Sequence, residues 1–310
     1  MSDFLHFTPS RPLRIASRGS ALALAQVVLT ENALKAAYPG LPMERVILQT
    51  TGDRFQGPLA EIGGKALFTK EIDEALLDNR ADIAVHSLKD VPGEMPEPLT
   101  LAACLEREDA RDVLLFERTH LASIHDLPAN ATLATSSPRR ALQAQLLRPD
   151  LSIVPMRGNV QSRIDKVESG QYQSSILASA GMNRLDIPVQ AYLPYPEMMP
   201  AVGQGIVAIA CRKQDEGLVE YLSAIRHTQS WHALQAERAM LIALEGTCRS
   251  PIAAWANIDE GYMILHGYLA AADGSKHART HVIGTVNDAA SMGRELAAKL
   301  LAEVPHAQYA

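Results

Sequence analysis

The sequence predicts an α/β protein with two α/β domains, followed by a smaller α+β domain with an antiparallel sheet. Short β-branched runs alternate with helix-period stretches through the first two-thirds of the chain, and this alternation is typical of a mainly parallel sheet with crossover helices. Three strand-like runs separated by hairpin signals follow near the C-terminus. The length of 310 residues also exceeds what one ordinary hydrophobic core organises.

The first α/β region shows the alternation most clearly. Its apolar and β-branched runs predict strands, and its helix-period stretches predict amphipathic helices. In chain order these elements are strand 14–17, helix 21–37, strand 46–49, helix 66–79 and strand 82–86.

A second α/β region begins near residue 112 and repeats the pattern. Its predicted elements are strand 132–134, helix 138–147, strand 153–154, helix 160–168 and strand 175–178. The segment 192–196 contains two prolines, so we expect it to be an irregular crossing segment. The apolar run 206–211 that follows predicts one more strand.

The last eighty or so residues predict the α+β domain. Turn signals at 259–261 and 272–274 separate the strand-like runs, which indicates hairpins in an antiparallel sheet. The predicted order is helix 230–244, strands 252–257, 262–268 and 277–284, and helix 288–301.

Composition argues against several classes of function. The net charge of −6 and the aromatic share of 5% argue against nucleic acid as a partner. No apolar run could span a bilayer, and the N-terminus lacks the features of a signal peptide, so we expect a cytoplasmic protein with no membrane partner. The three cysteines lie far apart, without metal-ligand spacing; neither a disulfide framework nor a metal site is predicted.

The distribution of charge is more informative than its total. Between residues 139 and 184 there are seven basic residues and three acidic ones. Most of the basic residues are arginines, whose guanidinium groups suit bidentate binding of carboxylates or phosphates. A basic region in an acidic protein indicates a small polyanionic ligand.

Two predicted helix starts are candidate anion sites. Ser20 is a good N-cap close to Arg18, although for this motif alone a capped helix with a surface arginine is the better explanation. Ser137 also begins a helix, and Arg139 and Arg140 in its first turn oppose the helix dipole. A bound anion would reverse their unfavourable effect, so we predict a binding site there. Arg157 and Arg163 repeat this arrangement more weakly.

Two further loops carry residues suited to chemistry. Lys89 and Asp90 directly follow a predicted strand, and Asp90 could stabilise a developing cation or transfer a proton. Lys65 follows a glycine pair and precedes Phe68, without the spacing of a phosphate-binding Walker loop. A solvated turn and an ordinary loop are the plain alternatives.

Cys248 lies in a loop of its own. Gly246 releases the chain from the preceding helix and Pro251 prevents the helix from resuming. The charge of the neighbouring Arg249 favours the thiolate. Cys104 and Cys211 lie in apolar runs and are expected in the core, which leaves Cys248 as the candidate covalent anchor, with an idle loop cysteine as the alternative.

Taken together, these loops resemble the porphobilinogen deaminase (hydroxymethylbilane synthase) family in order and spacing over nearly the whole chain. The motifs are RIASR at 14–18, GGK and LF within 63–68, VHSLKDVP at 85–92, SSPRR at 136–140, MRGN at 156–159, PAVGQG at 200–205 and GTC at 246–248. The resemblance implies two α/β domains like those of periplasmic binding proteins, over 1–106 with 206–228 and over 112–200. It also implies a third domain, 229–310, that carries the cysteine loop.

The resemblance implies an enzyme of porphyrin (tetrapyrrole and haem) biosynthesis. The family joins four molecules of porphobilinogen head to tail into hydroxymethylbilane, a transferase reaction that releases ammonia. A dipyrromethane cofactor, held by a thioether bond to a cysteine, primes the chain. The matching cysteine here is Cys248, and a monomer is the family's usual state.

By the same resemblance, Asp90 would be the catalytic carboxylate, holding pyrrole N–H groups and stabilising the cation left when the amine departs. The cofactor would be bound by Lys89, Ser20, Ser137, Arg139, Arg140, Arg163 and Arg184. The substrate would be bound by Arg18, Arg157, Phe68 and Lys65. Glu61 stands where some relatives have lysine, which puts that loop's direct role in doubt.

Two other classes of function explain part of the pattern. A non-catalytic two-domain receptor for a small polyanion would account for the arginines, but it leaves Cys248 and the third domain without a purpose. A different cysteine-dependent transferase would need a base paired with the thiol, and the sequence identifies none.

Overall fold

The computed structural model describes residues 11–54, 67–117, 121–189, 191–247 and 250–305. Their strands are β1 Leu13–Arg18, β2 Met43–Leu48, β3 Ile83–Ser87, β4 Leu99–Cys104, β5 Asp112–Phe116, β6 Thr132–Ala134, β7 Ser152–Val154, β8 Ser174–Ala178, β9 Ala191–Leu193, β10 Val207–Arg212, β11 Ile252–Asp259, β12 Tyr262–Ala270 and β13 His277–Thr285. Their α-helices are α1 Ala21–Ala37, α2 Thr51–Arg54, α3 Lys70–Leu77, α4 Pro138–Leu147, α5 Val160–Glu168, α6 Ser179–Asn183, α7 Glu216–Ser223, α8 Thr228–Ala243 and α9 Ala289–Glu303.

The chain divides into two units. Unit 1 comprises Met1–Arg107 and Ile206–Trp231, and unit 2 comprises Glu108–Gly205 and His232–Ala310. The finer division into three domains stays a prediction.

Unit 1 contains a five-stranded sheet in the order β2-β1-β3-β10-β4. Strand β1 is parallel to β2 and β3, whereas β10 is antiparallel to both of its neighbours, β3 and β4. Apolar side chains of β1 and β3 form one core with α1 and α7, and a second core with α3. The late strand 206–211 expected from the sequence is therefore present as β10, and it completes the first sheet.

Unit 2 contains a second five-stranded sheet of the same plan, in the order β7-β6-β8-β5-β9. Strand β6 is parallel to β7 and β8, and β5 is antiparallel to β8 and β9. The segment 192–196, predicted as irregular, begins within β9. This prediction was wrong at 192–193, because backbone pairing of β9 with β5 outweighs the effect of the nearby prolines.

The C-terminal part of unit 2 forms a three-stranded antiparallel sheet in the order β11-β12-β13. Helix α9 covers one face of this sheet, and the approach is close at Gly267, where a Cβ atom would lie 2.9 Å from the Leu296 side chain. The predicted combination of α/β sheets and a small antiparallel sheet is confirmed. Among the described residues, no helix has the length and apolar character required to cross a membrane.

Candidate active site

The candidate site in unit 1 lies at the carboxyl ends of its parallel strands. Strand β1 ends at Arg18, and Ser20 then caps α1 by accepting a hydrogen bond from the Ala23 N–H, at 3.3 Å. Strand β3 ends at Ser87, and a short 3-10 turn, Leu88–Asp90, follows. Because β1 and β3 are parallel neighbours, both loops emerge at the same edge of the sheet.

Four residues predicted separately line one open pocket at this edge. They are Arg18, Ser20, Phe68 and Asp90, and Gln26, His86 and Ser87 lie beside them. The guanidinium carbon of Arg18 stands 4.6 Å from the centre of the Phe68 ring, within range of a cation–π interaction. Lys89 precedes Asp90 in the turn and is half-buried.

The carboxylate of Asp90 has no protein partner among the described residues. Its carboxylate is half-buried, and the described part of the chain gives it no hydrogen bond and no ion pair. A partly desolvated carboxylate interacts more strongly with a ligand cation or N–H donor than one in bulk water. Asp90 is therefore poised to receive such a group.

Arg18 already has a protein partner, which sequence reasoning missed. Its Nε lies 3.2 Å from both carboxylate oxygens of Asp53, and its Nη2 also donates to that carboxylate. Burial opposes ionisation of Asp53, but hydrogen bonds from Arg18 and Thr50 outweigh it and lower the pKa of Asp53. No signal in the sequence around Asp53 separates it from any other loop aspartate.

His86 is the second residue of the pocket without a predicted role. Only 5% of its surface is exposed, and its Nε2 has no hydrogen-bond partner among the residues that the structure describes. Burial, aided by the charge of Arg18, lowers the pKa of His86 to about 4. His86 therefore contributes a neutral imidazole at neutral pH.

The candidate site in unit 2 is centred on the first turn of α4. The Ser137 hydroxyl accepts a hydrogen bond from the Arg140 N–H, at 3.4 Å, and Pro138 occupies the first turn as predicted. Arg139 and Arg140 are 4% and 6% exposed. Both pair with Asp112, at 2.8 Å from Arg139 Nη1 and 2.7 Å from Arg140 Nη2.

This pairing changes the interpretation of the two arginines. The sequence predicted an anion opposite the α4 N-terminus, and the structure places the protein's own Asp112 carboxylate against them. Burial opposes ionisation of Asp112, but the two guanidinium charges hold the pKa of its carboxyl well below its usual range. Cofactor binding by Arg139 and Arg140 stays a prediction. A bound cofactor would share these arginines with Asp112.

The other predicted arginines of unit 2 lie outside α4, with Arg157 in a loop, Arg163 in α5 and Arg184 at the C-terminal end of α6. The Ser136 hydroxyl donates to the Met156 carbonyl at 2.9 Å, which joins the α4 loop to the loop carrying Arg157. Arg163 Nε donates to the Gly158 carbonyl at 2.8 Å. Arg184 Nη2 donates to the Gly205 carbonyl at 2.7 Å, and burial lowers the pKa of Arg184.

Cys248 and Lys65, with Glu61, lie outside the described residues. Cys104 and Cys211 are fully buried, and burial raises the pKa of each thiol to about 12. The prediction that these two cysteines belong to the core is confirmed. Both thiols stay protonated at neutral pH, so neither can act as a nucleophile there.

Comparisons with known proteins agree with this arrangement. Residues 13–220 match the model of the porphobilinogen deaminase, dipyromethane cofactor binding domain, and residues 231–302 match that of the porphobilinogen deaminase, C-terminal domain. A porphobilinogen deaminase of Geobacter metallireducens is 42% identical over 299 residues, covering 96% of this chain and 93% of the relative. One from Geobacter sulfurreducens is 42% identical over 297 residues, covering 95% and 92%.

Among solved structures, a putative methionine-binding lipoprotein of Bacillus subtilis covers 71% of this chain and 92% of its own, at 12% identity and a TM-score of 0.43. The sequence relatives are far more similar. Both halves of the family match in order along the chain, and the relatives extend over nearly its whole length. This chain belongs to the porphobilinogen deaminase family.

Proposed function

We propose that this protein is a hydroxymethylbilane synthase, which condenses four porphobilinogen molecules head to tail and releases ammonia at each addition. The observation that carries the proposal is the pocket lined by Asp90, Arg18 and Phe68, in which the carboxylate of Asp90 is unpaired among the described residues. Porphobilinogen offers a pyrrole N–H, an aminomethyl group and two carboxylates. The pocket therefore holds an acceptor for the N–H and aminomethyl groups and a cation for a carboxylate.

The dipyrromethane cofactor of the family has N–H groups that require acceptors and carboxylates that require cations. In this proposal Asp90 would accept from the N–H groups, and Arg139 and Arg140, with Ser137 at the helix start, would bind the carboxylates. Among the described residues, the buried Nε of Arg140 has no acceptor. When bound, the cofactor supplies the nucleophilic pyrrole carbon from which the chain grows, and Cys248 would anchor it.

In this proposal Asp90 does the repeated chemical work. The bond between the aminomethyl carbon and its nitrogen breaks, ammonia leaves, and a cation delocalised into the pyrrole ring remains. Asp90 accepts a hydrogen bond from the pyrrole N–H and stabilises that cation electrostatically. Such stabilisation is usually the largest catalytic contribution of a group of this kind. A new carbon–carbon bond then joins the rings, and the displaced ring proton is lost.

The remaining predicted residues bind rather than react. Arg18 and Arg157 would bind substrate carboxylates, Phe68 would pack on a pyrrole ring, and Lys65 would contribute from its loop. The predicted cofactor-binding set beyond α4 and Cys248 is Ser20, Lys89, Arg163 and Arg184. The monomeric state, the cytoplasmic location and the lack of nucleic-acid or membrane partners stay predictions.

Intact mass spectrometry tests the proposal. The purified protein should exceed its sequence mass by two linked pyrrole units, and Cys248→Ser should abolish the excess. Cys104→Ala is the matched control, because that thiol is buried and should leave the excess unchanged. A wild-type mass equal to the bare chain, in a sample that converts porphobilinogen, would overturn the covalent primer, whereas a bare chain that binds porphobilinogen without turnover would favour the receptor.

A further inference from the structure

Asp112 organises a buried cluster in unit 2 that the proposed mechanism does not use directly. It is the first residue of β5 and has no exposed surface. Its carboxylate accepts three side-chain hydrogen bonds, at 2.8 Å from Arg139 Nη1, 2.7 Å from Arg140 Nη2 and 2.8 Å from Gln204 Nε2. Each arginine thus donates to a different oxygen of one fixed carboxylate.

The charges in this cluster do not balance. Arg139 and Arg140 carry two positive charges and Asp112 one negative charge, which leaves one positive charge in surroundings that are almost fully buried. Among the described residues, no other carboxylate hydrogen-bonds to either arginine, and the nearby Arg279, which donates to Gln143 at 3.0 Å, adds positive charge. A buried surplus charge is costly unless a counter-charge arrives.

Arg140 also has one unsatisfied hydrogen-bond donor. Its Nη1 donates to the Ile176 carbonyl at 2.9 Å and its Nη2 donates to Asp112, while its buried Nε has no acceptor in the described part of the chain. Buried N–H groups are nearly always satisfied in folded proteins. The surplus charge and the unsatisfied donor both indicate that one anionic acceptor completes the cluster.

We infer that Asp112 is a positioning residue for ligand carboxylates: it fixes Arg139 and Arg140 in one geometry and neutralises only one of their two charges. This inference rests on the proposed function, since the ligand carboxylate would belong to the cofactor or to porphobilinogen. Without Asp112, two like charges would face each other across a buried space, and neither guanidinium would keep its orientation. Asp112 touches no reacting atom and acts through the arginines.

A double-mutant cycle on the Michaelis constant for porphobilinogen tests the inference. Asp112→Asn should raise KM about tenfold, with kcat within about threefold, because positioning affects binding in the ground state. Arg140→Gln should raise KM by a similar factor. The KM of the double variant should lie within about twofold of the KM of either single variant, since both changes remove the same positioned group. Intact mass should show reduced cofactor occupancy in all three variants.

Asp150→Asn is the matched control in the same unit. Asp150 also accepts two hydrogen bonds from one arginine, Arg148, both at 2.7 Å, but it lies at the surface. Its variant should keep KM and occupancy unchanged. If Asp112→Asn does not fold, Gln204→Met removes one donor to Asp112 without changing the charge, and should raise KM about threefold in the wild-type background only.

The outcomes separate the two proposals. KM factors that multiply in the double variant, or an Asp112→Asn protein with normal KM and full occupancy, would overturn the positioning role and leave the enzyme proposal intact. A wild-type protein with no excess mass and no turnover would instead overturn the proposed function itself.

Discussion

The two five-stranded sheets follow the same plan but differ in charge at equivalent positions. In unit 1 the antiparallel strand begins at Val207, which pairs with Ser87, the last residue of β3. In unit 2 the antiparallel strand begins at Asp112, which pairs with Ala178, the last residue of β8. One position at the carboxyl edge of the sheet therefore holds a valine in one unit and a carboxylate in the other.

This difference explains why the two edges behave differently. At the edge of unit 1, Arg18 pairs with Asp53, and the carboxylate of Asp90 stays unpaired among the described residues. At the edge of unit 2, Asp112 draws Arg139 and Arg140 into the interior. The same backbone plan thus yields an open carboxylate suited to catalysis and a closed cationic cluster suited to holding a ligand.

The largest effect should follow from removing the open carboxylate. Asp90→Ala should lower kcat about a thousandfold, since it deletes the group that stabilises the developing cation. The protein should still fold, because no hydrogen bond of that carboxylate is lost in the described part of the chain. Steady-state assays of porphobilinogen consumption, with thermal unfolding, measure both. Glu94→Gln, an exposed change nearby, should stay within about twofold of wild type, and near-normal turnover of Asp90→Ala would remove it from the mechanism.

A smaller effect should appear in stability when the two ion pairs are compared. Asp112→Asn should lower the free energy of unfolding by about 3 kcal/mol, because it leaves buried guanidinium charge uncompensated. Asp53→Asn removes the ion-pair partner of Arg18. The side chains of Arg18 and Asp53 are each 23% exposed, so this change should lower the free energy of unfolding by only about 1 kcal/mol. Urea denaturation followed by circular dichroism gives both values. Equal losses would contradict the contrast between a closed and an open edge.

A change of stability smaller than that of Asp112→Asn should depend on pH, through a buried carboxyl of unit 1. Burial raises the pKa of Asp73 to about 6, so the folded state binds a proton more tightly than the unfolded state. Its contribution to stability is complete below about pH 4 and is lost as the pH rises through 6. Asp73→Asn should therefore stabilise the protein by about 1 to 2 kcal/mol at pH 7.5, and by nothing measurable at pH 4.

The contribution of Asp112 to stability should change with pH in the opposite direction to that of Asp73. Its pKa is lowered by the two arginines despite burial, so its contribution is present at neutral pH and is lost as the pH falls below the range of an ordinary aspartate. Urea denaturation at pH 2.5, pH 4 and pH 7.5, with the exposed Asp78→Asn as control, distinguishes the two carboxyls. The same sign for Asp73→Asn and Asp112→Asn at pH 7.5 would contradict this account.

Much of the fold was predictable because its signals are local. The helix start at Ser20 and the Ser137-Pro138 start of α4 are encoded by adjacent residues, and both were confirmed. Arg18 and Asp90 were predicted at the ends of strands, and the parallel pairing of β1 and β3 brings them to one sheet edge. The strand β9 was missed because it is three residues long and exists only through pairing with β5.

The partners of the charged residues were not predictable. Asp53 lies 35 residues from Arg18, and Asp112 lies 27 and 28 residues from Arg139 and Arg140. At such separations the sheet order determines which side chains meet. The unsatisfied Nε2 of His86 likewise depends on burial, which no local pattern reports.

The sequence by itself determined the strand and helix periodicity, the capped helix starts and the motif loops that assign this chain to its family. These depend on neighbouring residues, and hydrophobic spacing and capping chemistry act over one or two turns. Only the tertiary structure decided that Arg139 and Arg140 pair with an internal carboxylate, while Asp90 has no ion-pair partner among the described residues. Burial and charge pairing depend on distances between segments that are remote in the chain. The positions of the antiparallel strands β5 and β10 in their sheets set those distances.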